Sequence, residues 1–256
     1  MSVLQWLRPG WPAPAAVRAA FTLRGGGASQ GAWASLNLGT HVGDDARAVA
    51  RNRALVRAAL ALPAEPAWLE QQHGTRVADL DREAAPAPAD AALARGPGRV
   101  CAILVADCLP VLFATRRGDA VAAAHAGWRG LAGGVLEATV RALGVDGGEL
   151  LAWLGPAIGP RHFEVGEEVR QAFLDADAGA GAAFQRNERG RWLCDLAALA
   201  RRRLAALGVH ALTDESTCTF EDAARCYSHR RGAPTGRMAA LVWLDPPARG
   251  HAPVPC

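Results

Sequence analysis

Residues 100–115 read Val-Cys-Ala-Ile-Leu-Val-Ala-Asp-Cys-Leu-Pro-Val-Leu-Phe-Ala-Thr, which is two apolar runs divided by one aspartate and one cysteine. Short apolar runs with a polar break between them are typical of strands that are buried on both faces. We therefore predict strands over 100–106 and 109–115. A third strand is predicted over 119–125, another over 150–154 and a last one over about 238–244.

Helices are predicted between these strands. Asp44 and Asp45 are candidate N-caps of a helix that runs to about Leu62, and further helices are expected over about 131–143, 165–175 and 195–207. A strand that enters a glycine turn is predicted over 21–27, a short extended piece over 34–39, and a loop over the Ala, Pro and Gly of 84–99. The mixture favours an α+β (mixed α/β) sandwich. We expect one domain over 1–245 and a flexible, proline-rich tail over 246–256.

The composition is that of a globular protein. Of the 256 residues, 50% are hydrophobic and 21% are charged, which excludes a disordered or collagen-like chain. No apolar stretch approaches the roughly 20 residues that a membrane-spanning helix needs. The net charge of +3 is too small to indicate nucleic-acid binding. The chain contains no lysine, so Schiff-base and P-loop lysine chemistry are excluded.

The sequence also bears on the compartment. The first eight residues lack the basic and then apolar pattern of a secretory signal. The six cysteines show no C-x-x-C spacing, so we expect reduced thiols. The expected location is the cytoplasm, and nothing in the sequence indicates a membrane or an obligate protein partner.

Three residues are candidates for chemistry because each stands at a turn or at a strand end. His73 lies in a polar turn, Cys108 at the break between two predicted strands, and His125 at the end of a third, directly before Gly-Trp-Arg-Gly. Two imidazoles and a thiolate can bind zinc and leave the fourth position open, as in catalytic sites. Zinc lowers the pKa of bound water to about 7. Asp107, beside the thiolate, is a candidate for supporting the ligands or transferring a proton.

Other interpretations of the same residues stay open. A cysteine between strands is often a small buried hydrophobic residue, and a histidine at a strand end often only completes a turn. Cys108 paired with a histidine base could instead act as a nucleophile. The separations of 35 and 17 residues match no metal motif, and the H-E-x-x-H, G-x-S-x-G and zinc-deaminase signatures are missing.

Arginines and one further histidine are weaker candidates. Arg24, before three glycines, and Arg129, after Gly-Trp, could each hold a phosphate, and so could the Arg230-Arg231 pair. In a chain whose basic residues other than histidine are all arginine, a solvated surface arginine is the simpler interpretation. His162 is a candidate for the wall of the same cleft.

The sequence closely resembles the YfiH family, also called the laccase-domain or multicopper polyphenol oxidase family and described as peptidoglycan editing factors or purine nucleoside phosphorylases. Matching segments occur in the family's order over about 21–244 and are, in turn, FTLRGGG (21–27), ASLNLG (34–39), HVGDD (41–45), QQHGT (71–75), ADCLP (106–110), AHAGWRG (124–130), LGPAIGP (154–160), CT (218–219) and GRMA (236–239).

The resemblance implies a layered α/β/β/α sandwich with mixed sheets. It also implies that His73, Cys108 and His125 hold zinc and carry the catalysis. Divalent copper, which generally binds more tightly than zinc, could occupy the same site. Substrates implied are purine nucleosides and phosphate, with Arg24, Asn37 and Arg129 as candidate substrate-binding residues. The implied reactions are phosphorolysis of adenosine, inosine and methylthioadenosine and the hydrolytic deamination of adenosine.

Other functions must be weighed beside this one. The editing-factor name implies an amidase that acts on a peptidoglycan precursor through the metal or Cys108, and a noncatalytic binding role is a further alternative. Polyphenol oxidation by a laccase mechanism needs many histidines in H-x-H pairs, and this chain has seven histidines and no such pair. The chain also departs from the family's common Ser-Tyr-Arg-Arg-Asp, because it reads Ser228-His-Arg-Arg-Gly232. His229 is therefore expected to affect substrate choice without touching the ligands.

Overall fold

The computed structural model describes residues 4–83 and 88–246. Within them the strands are, in chain order, β1 (Trp6–Leu7), β2 (Val17–Thr22), β3 (Ala67–Trp68), β4 (Val77–Asp79), β5 (Ala91–Ala94), β6 (Val100–Val105), β7 (Leu109–Thr115), β8 (Val121–Ala126), β9 (Leu150–Leu154), β10 (Glu164–Val165), β11 (Phe184–Arg186), β12 (Trp192–Cys194), β13 (Ala211–Asp214) and β14 (Met238–Leu244). The helices are α1 (Ala46–Ala59), α2 (Trp128–Gly133), α3 (Val135–Leu143), α4 (Glu167–Leu174) and α5 (Leu196–Ala206).

Two mixed sheets form the centre of the fold. The first has the order β1-β2-β14-β6-β3 and the second the order β13-β9-β7-β8-β5-β4. In the first, β14 is antiparallel to both β2 and β6, while β3 runs parallel to β6. In the second, β7 is antiparallel to β8 and β9, while β13 runs parallel to β9. A small third sheet has the order β10-β12-β11.

The apolar residues divide into three layers that define the architecture. One cluster joins the inner faces of the two sheets and includes Ile103 of β6 and Leu112 of β7. A second covers the outer face of the six-stranded sheet with α3, α4 and α5, and a third covers the outer face of the five-stranded sheet with Val56 of α1. The fold is thus a mixed α+β structure with the layer order α/β/β/α, as the sequence resemblance implied.

Most predicted elements agree with the structure. The strands over 100–106, 109–115, 150–154 and 238–244 are confirmed within a residue, and the strand predicted over 119–125 runs from Val121 to Ala126. The helix predicted after Asp45 is α1, which ends at Ala59 rather than at about Leu62. The predicted cap is confirmed, because the Asp45 side chain accepts a hydrogen bond from the N–H of Arg47.

Other predictions were wrong in detail. The predicted loop 84–99 contains strand β5, which pairs with β8. The predicted helix over 131–143 is two helices, because Gly134 has a φ of 98° and ends α2. The strand expected over 21–27 is β2, which begins at Val17 and ends at Thr22, and 34–39 is not a strand. The single-domain boundary stays a prediction, and all of the predicted tail except Pro246 lies outside the described residues.

The described helices include none that combines the length and the apolar character needed to cross a bilayer.

Substitutions of Trp153 in β9 test the packing between the two sheets. Its ring is fully buried and packs against Phe21 of β2 with centroids 6.3 Å apart, and its indole N–H finds no acceptor among the described residues. We expect Trp153→Ala to lower the free energy of unfolding by about 3–5 kcal/mol. Trp153→Phe should cost clearly less, because it keeps a ring against Phe21 and loses no hydrogen bond. Urea denaturation measures both, and equal losses would contradict this account of the core.

Candidate metal centre

A cleft of about 380 Å³ opens at one end of the sandwich, where strands of both sheets end. This volume lies within the range of small-molecule sites. Its lining combines histidines, arginines and apolar side chains, namely His41, Gln71, His73, Leu104, Val105, Ala106, Asp107, Cys108, His125, Trp128, Arg129, Ile158, Phe163, Leu196, His229, Arg230 and Arg237. All three residues of the predicted triad are among them.

The structure brings His73, Cys108 and His125 together from three separate parts of the chain. His73 lies in the loop between β3 and β4, Cys108 in the tight connection between β6 and β7, and His125 near the end of β8. One ligand atom from each residue lies within 4.8 Å of the others, and Cys108 Sγ is 3.9 Å from His73 Nε2. The two imidazole rings are 4.7 Å apart and nearly perpendicular. His73 is exposed, Cys108 is half-buried and His125 is buried.

Asp90, which the sequence analysis missed, positions both histidines. Its Oδ1 accepts hydrogen bonds from the backbone N–H of His73 at 2.9 Å and from Nδ1 of His125 at 2.8 Å. Its Oδ2 accepts from the N–H groups of Gln72 and Gly74. Because Asp90 occupies Nδ1 of His125, Nε2 of that ring is left to face the other ligands.

The loop of His73 is held on its other side by Gln71. The Gln71 side-chain amide donates to the carbonyl of Leu104 at 2.9 Å and accepts from the N–H of the same residue at 2.8 Å. This pair joins the loop to the end of β6, two residues before the Asp107-Cys108 turn. His73 itself has a φ of 59°, so the surrounding hydrogen bonds hold a backbone conformation that side chains rarely adopt.

The electrostatics of the site favour the metal-binding form of the cysteine. Burial alone would raise the pKa of the Cys108 thiol, but attraction to His125 and hydrogen bonds from both histidines outweigh it and lower that pKa. Burial likewise disfavours the charged form of His125, yet Cys108 and Asp90 together raise its pKa. Burial also opposes ionisation of Asp90, and the hydrogen bond from His125 with those of the loop N–H groups lowers its pKa overall. The thiolate is the form that ligates metals.

Gly127 leaves the space beside the triad open. A Cβ at this position would lie 3.0 Å from Cys108 Sγ, 3.0 Å from His73 Cδ2 and 3.5 Å from His125 Cε1. Two imidazoles and one thiolate are a donor set that suits zinc and also divalent copper. The residues present therefore fit the metal that the family resemblance implies.

Three arginines give the cleft a positive wall. The exposed Arg129 guanidinium lies 4.3 Å from the centroid of Trp128, and it makes no hydrogen bond with any described residue. Arg230 donates to the carbonyl of Glu164 and lies over Phe163, while Arg237 donates to the carbonyls of Thr235 and Gly236. Of the arginines singled out from the sequence, Arg129 and Arg230 thus line the cleft.

Two other predicted substrate-binding residues are not among the cleft-lining residues. The Arg24 guanidinium donates to the carbonyls of Ala34 and Ala223 and lies over the Tyr227 ring. Asn37 is fully buried and its Oδ1 accepts from the backbone N–H of Arg237 at 2.9 Å. Asn37 therefore supports an arginine of the cleft rather than facing the cleft itself.

Asp107 borders the cleft but does not bind to the triad. Its Oδ1 accepts from the Thr219 hydroxyl at 2.7 Å, and its Oδ2 accepts from the Ser228 hydroxyl and the N–H of Arg230. Both carboxylate oxygens are thus engaged in joining the Cys108 turn to two parts of the connection between β13 and β14. The support of the ligands or proton transfer suggested by the sequence stays a prediction.

The sequence contains a weak indication that Asp90 has a structural partner. It contains no indication that several other residues line the cleft. Asp90 is the one charged residue between Glu83 and Arg95, and an isolated acid in an apolar stretch is expected to have partners. Trp128, Phe163 and Arg237 could not be assigned to the cleft without the fold. His229, where the chain departs from the family pattern, does line the cleft as expected.

Comparisons with known proteins agree with the resemblance seen in the sequence. The family model described as multi-copper polyphenol oxidoreductase laccase matches residues 18–245. Purine nucleoside phosphorylase PA4543 of Pseudomonas aeruginosa is 57% identical over 241 residues, which cover 94% of this chain and 98% of that protein. Purine nucleoside phosphorylase YfiH of Escherichia coli is 50% identical over 237 residues, which cover 92% and 97% of the two chains.

A solved structure shares the whole architecture. The crystal structure of Neisseria meningitidis protein NMB0706 matches with a TM-score of 0.91 and 48% sequence identity, covering 94% of this chain and 99% of that chain. The layered α+β fold is therefore confirmed by a relative as well as by the sheets and helices described above.

The space at Gly127 yields a first prediction for the site. We expect Gly127→Ala to weaken zinc binding roughly 10–100-fold, the range typical of changes beside metal ligands, because the added methyl group crowds the triad. Its φ of −61° and ψ of 155° suit alanine, so the fold should persist. Chelator competition measures the affinity, with Gly148→Ala as control because a Cβ there meets no atom of the described residues within 4 Å. Wild-type affinity in Gly127→Ala would contradict the assigned position of the metal.

Asp90 yields a second prediction. Asp90→Asn removes the charge that orients His125 and the His73 loop, so zinc affinity should fall by roughly 10–100-fold. The matched control is Asp119→Asn, whose carboxylate accepts from the Thr115 hydroxyl away from the cleft. The same chelator competition applies. If Asp90→Asn binds zinc no more weakly than Asp119→Asn, then Asp90 does not position the ligands.

Proposed function

Because the chain belongs to the multi-copper polyphenol oxidoreductase laccase family, to which the YfiH proteins also belong, we propose that it is a metal-dependent purine nucleoside phosphorylase. The observation that carries the proposal is the triad of His73, Cys108 and His125 in a cleft of about 380 Å³ whose wall holds three arginines. Relatives of near-complete coverage that are named purine nucleoside phosphorylase support the same reaction.

In this proposal the triad holds a zinc ion, or copper in its place. When bound, such an ion polarises an oxygen of the substrate and lowers the pKa of coordinated water. Asp90 keeps the Nδ1 proton of His125 engaged, so that the ring presents Nε2 to the ion. Gly127 keeps side-chain atoms away from the open side of the triad, which leaves this space to the ion and the substrate.

Phosphate and nucleoside would bind to different parts of the cleft. Arg129 and Arg237 are suited to hold phosphate, because guanidinium groups bind phosphate oxygens in pairs. Trp128, Ile158 and Phe163 provide apolar surface for the purine and ribose. In phosphorolysis a phosphate oxygen forms a bond to C1′ of the ribose, the bond from C1′ to the purine nitrogen breaks, and the base leaves with that electron pair and takes up a proton.

The same cleft suits adenosine deamination, which we include in the proposal. In this reaction water adds to the purine carbon that bears the amino group, and ammonia leaves. Adenosine, inosine and methylthioadenosine are the proposed nucleosides, with the cytoplasm as the location. Laccase-type oxidation has no support, since seven histidines without an H-x-H pair cannot supply the ligands of several coppers.

A chromatographic assay tests the function. Zinc-loaded protein incubated with adenosine and phosphate should release adenine and ribose 1-phosphate, and hypoxanthine as well if deamination precedes phosphorolysis. Without phosphate, only inosine should form. Cys108→Ala should lower both activities at least about 100-fold, because one of three ligands is lost. Asp119→Asn, outside the cleft, should keep them.

Each outcome separates the alternatives. Inosine formed with or without phosphate, and no free base, would leave a deaminase and refute the phosphorylase proposal. Intact adenosine, inosine and methylthioadenosine in the presence of stoichiometric zinc would refute both activities. In that case a wall-precursor amide becomes the substrate to test with the same Cys108→Ala control.

A further inference from the structure

A second group of metal-ligand side chains lies outside the set of residues that line the cleft. His162, Cys218 and Glu221 each place one ligand atom within 4.8 Å of the other two. Among the described residues, only this group and the triad bring three such side chains of His, Cys, Asp or Glu so close together. Neither the phosphorylase proposal nor the triad uses these three residues.

The backbone holds this second group in place. His162 lies in the turn after β9, where its N–H donates to the carbonyl of Gly159 at 3.0 Å. Cys218 forms an isolated bridge with Ala157, and its sulfur accepts a hydrogen bond from the N–H of Gly159 at 3.1 Å. The two segments are therefore fixed side by side by the fold.

The imidazole and the carboxylate are also oriented. The His162 ring stacks on Phe220 with centroids 4.4 Å apart and planes 14° apart. Its Nε2 lies 2.9 Å from Oε1 of Glu221, and the same oxygen accepts from the Arg161 guanidinium at 2.6 Å. Both histidine and cysteine are half-buried, whereas Glu221 is exposed, so an ion from solvent can reach the group.

Arg161, which forms an ion pair with Glu221, competes only weakly with a metal ion for the Glu221 carboxylate. The Arg161 side chain is 79% exposed, and ion pairs at such exposure contribute little to stability. A divalent cation that also contacts an imidazole nitrogen and a thiolate gains much more from the same carboxylate. Arg161 can swing into solvent when the cation binds.

We propose that His162, Cys218 and Glu221 form a second metal site that takes a thiophilic divalent cation of the zinc class. One nitrogen, one sulfur and one carboxylate oxygen suit zinc, whereas calcium and magnesium require oxygen ligands. The site joins the 155–163 segment, which lines the cleft through Ile158 and Phe163, to the 217–221 segment. A bound cation therefore clamps one wall of the cleft from outside.

Zinc titration of the full chain, after removal of metals by a chelator, tests the second site. Cys108→Ser disables the triad and should still bind one zinc ion, and Cys108→Ser with Cys218→Ser should bind none. The loss of Cys218 should lower the affinity for zinc at this second site. The decrease should exceed the roughly 10–100-fold that is typical when a residue hydrogen-bonded to a metal ligand is lost. Cobalt substituted for zinc in Cys108→Ser should give a thiolate-to-metal absorption band that Cys218→Ser abolishes.

Arg161→Ala supplies a control that moves in the opposite direction. This substitution removes the guanidinium group that competes with the metal for Glu221, and it removes no metal ligand. It should therefore tighten zinc binding in the Cys108→Ser background. Circular dichroism identifies any variant that fails to fold. If Cys218→Ser fails to fold, His162→Gln takes its place in the test. The proposal is overturned if Cys108→Ser binds no zinc, or if its zinc survives both Cys218→Ser and His162→Gln. Neither result depends on whether the triad carries phosphorylase activity.

Discussion

The carboxylate of Asp90 is buried, and the geometry of the triad depends on it. It accepts hydrogen bonds from the consecutive N–H groups of Gln72, His73 and Gly74 and from the ring of His125. A buried charge is tolerated only where donors compensate its lost hydration. Asp90 therefore requires the His73 loop and His125 to be where they are, just as the two histidines require Asp90. This mutual dependence joins the His73 loop to the neighbouring ends of β5 and β8.

Backbone strain is concentrated at the same place. Among the described residues, Ala61, His73 and Asp107 are the positions other than glycine with positive φ, and two of the three border the cleft. Strained residues persist only where their surroundings determine the conformation fully. For Asp107, with a φ of 95°, the hydroxyls of Thr219 and Ser228 hold the side chain. The turn so fixed directs Cys108 towards the two histidines, so a conformation of unfavourable energy positions the sulfur.

Local patterns predicted the elements whose surroundings are uniform, and failed where a distant partner decides. Strands over 100–106 and 109–115 are buried on both faces, so their apolar runs identify them. Strand β5, Ala91-Ala-Leu-Ala94, has the composition of a loop or helix and becomes a strand because β4 and β8 pair with it on its two sides. The glycines after Arg24 suggested an anion site, but the fold directs that side chain to backbone carbonyls. Asp90 was missed because its partners are 16 or more residues away along the chain.

The candidate metal ligands and the cleft walls come from different kinds of structure. The triad is anchored to strand ends and to Asp90, whereas Ile158 and Phe163 belong to the segment after β9, and His229 to the loop before β14. Residues in loops can change without disturbing a sheet. His229 therefore contributes to the shape and polarity of the wall without being one of the three residues of the triad. In the proposed function, the triad carries the reaction, whereas the loop residues of the cleft wall select among purine nucleosides.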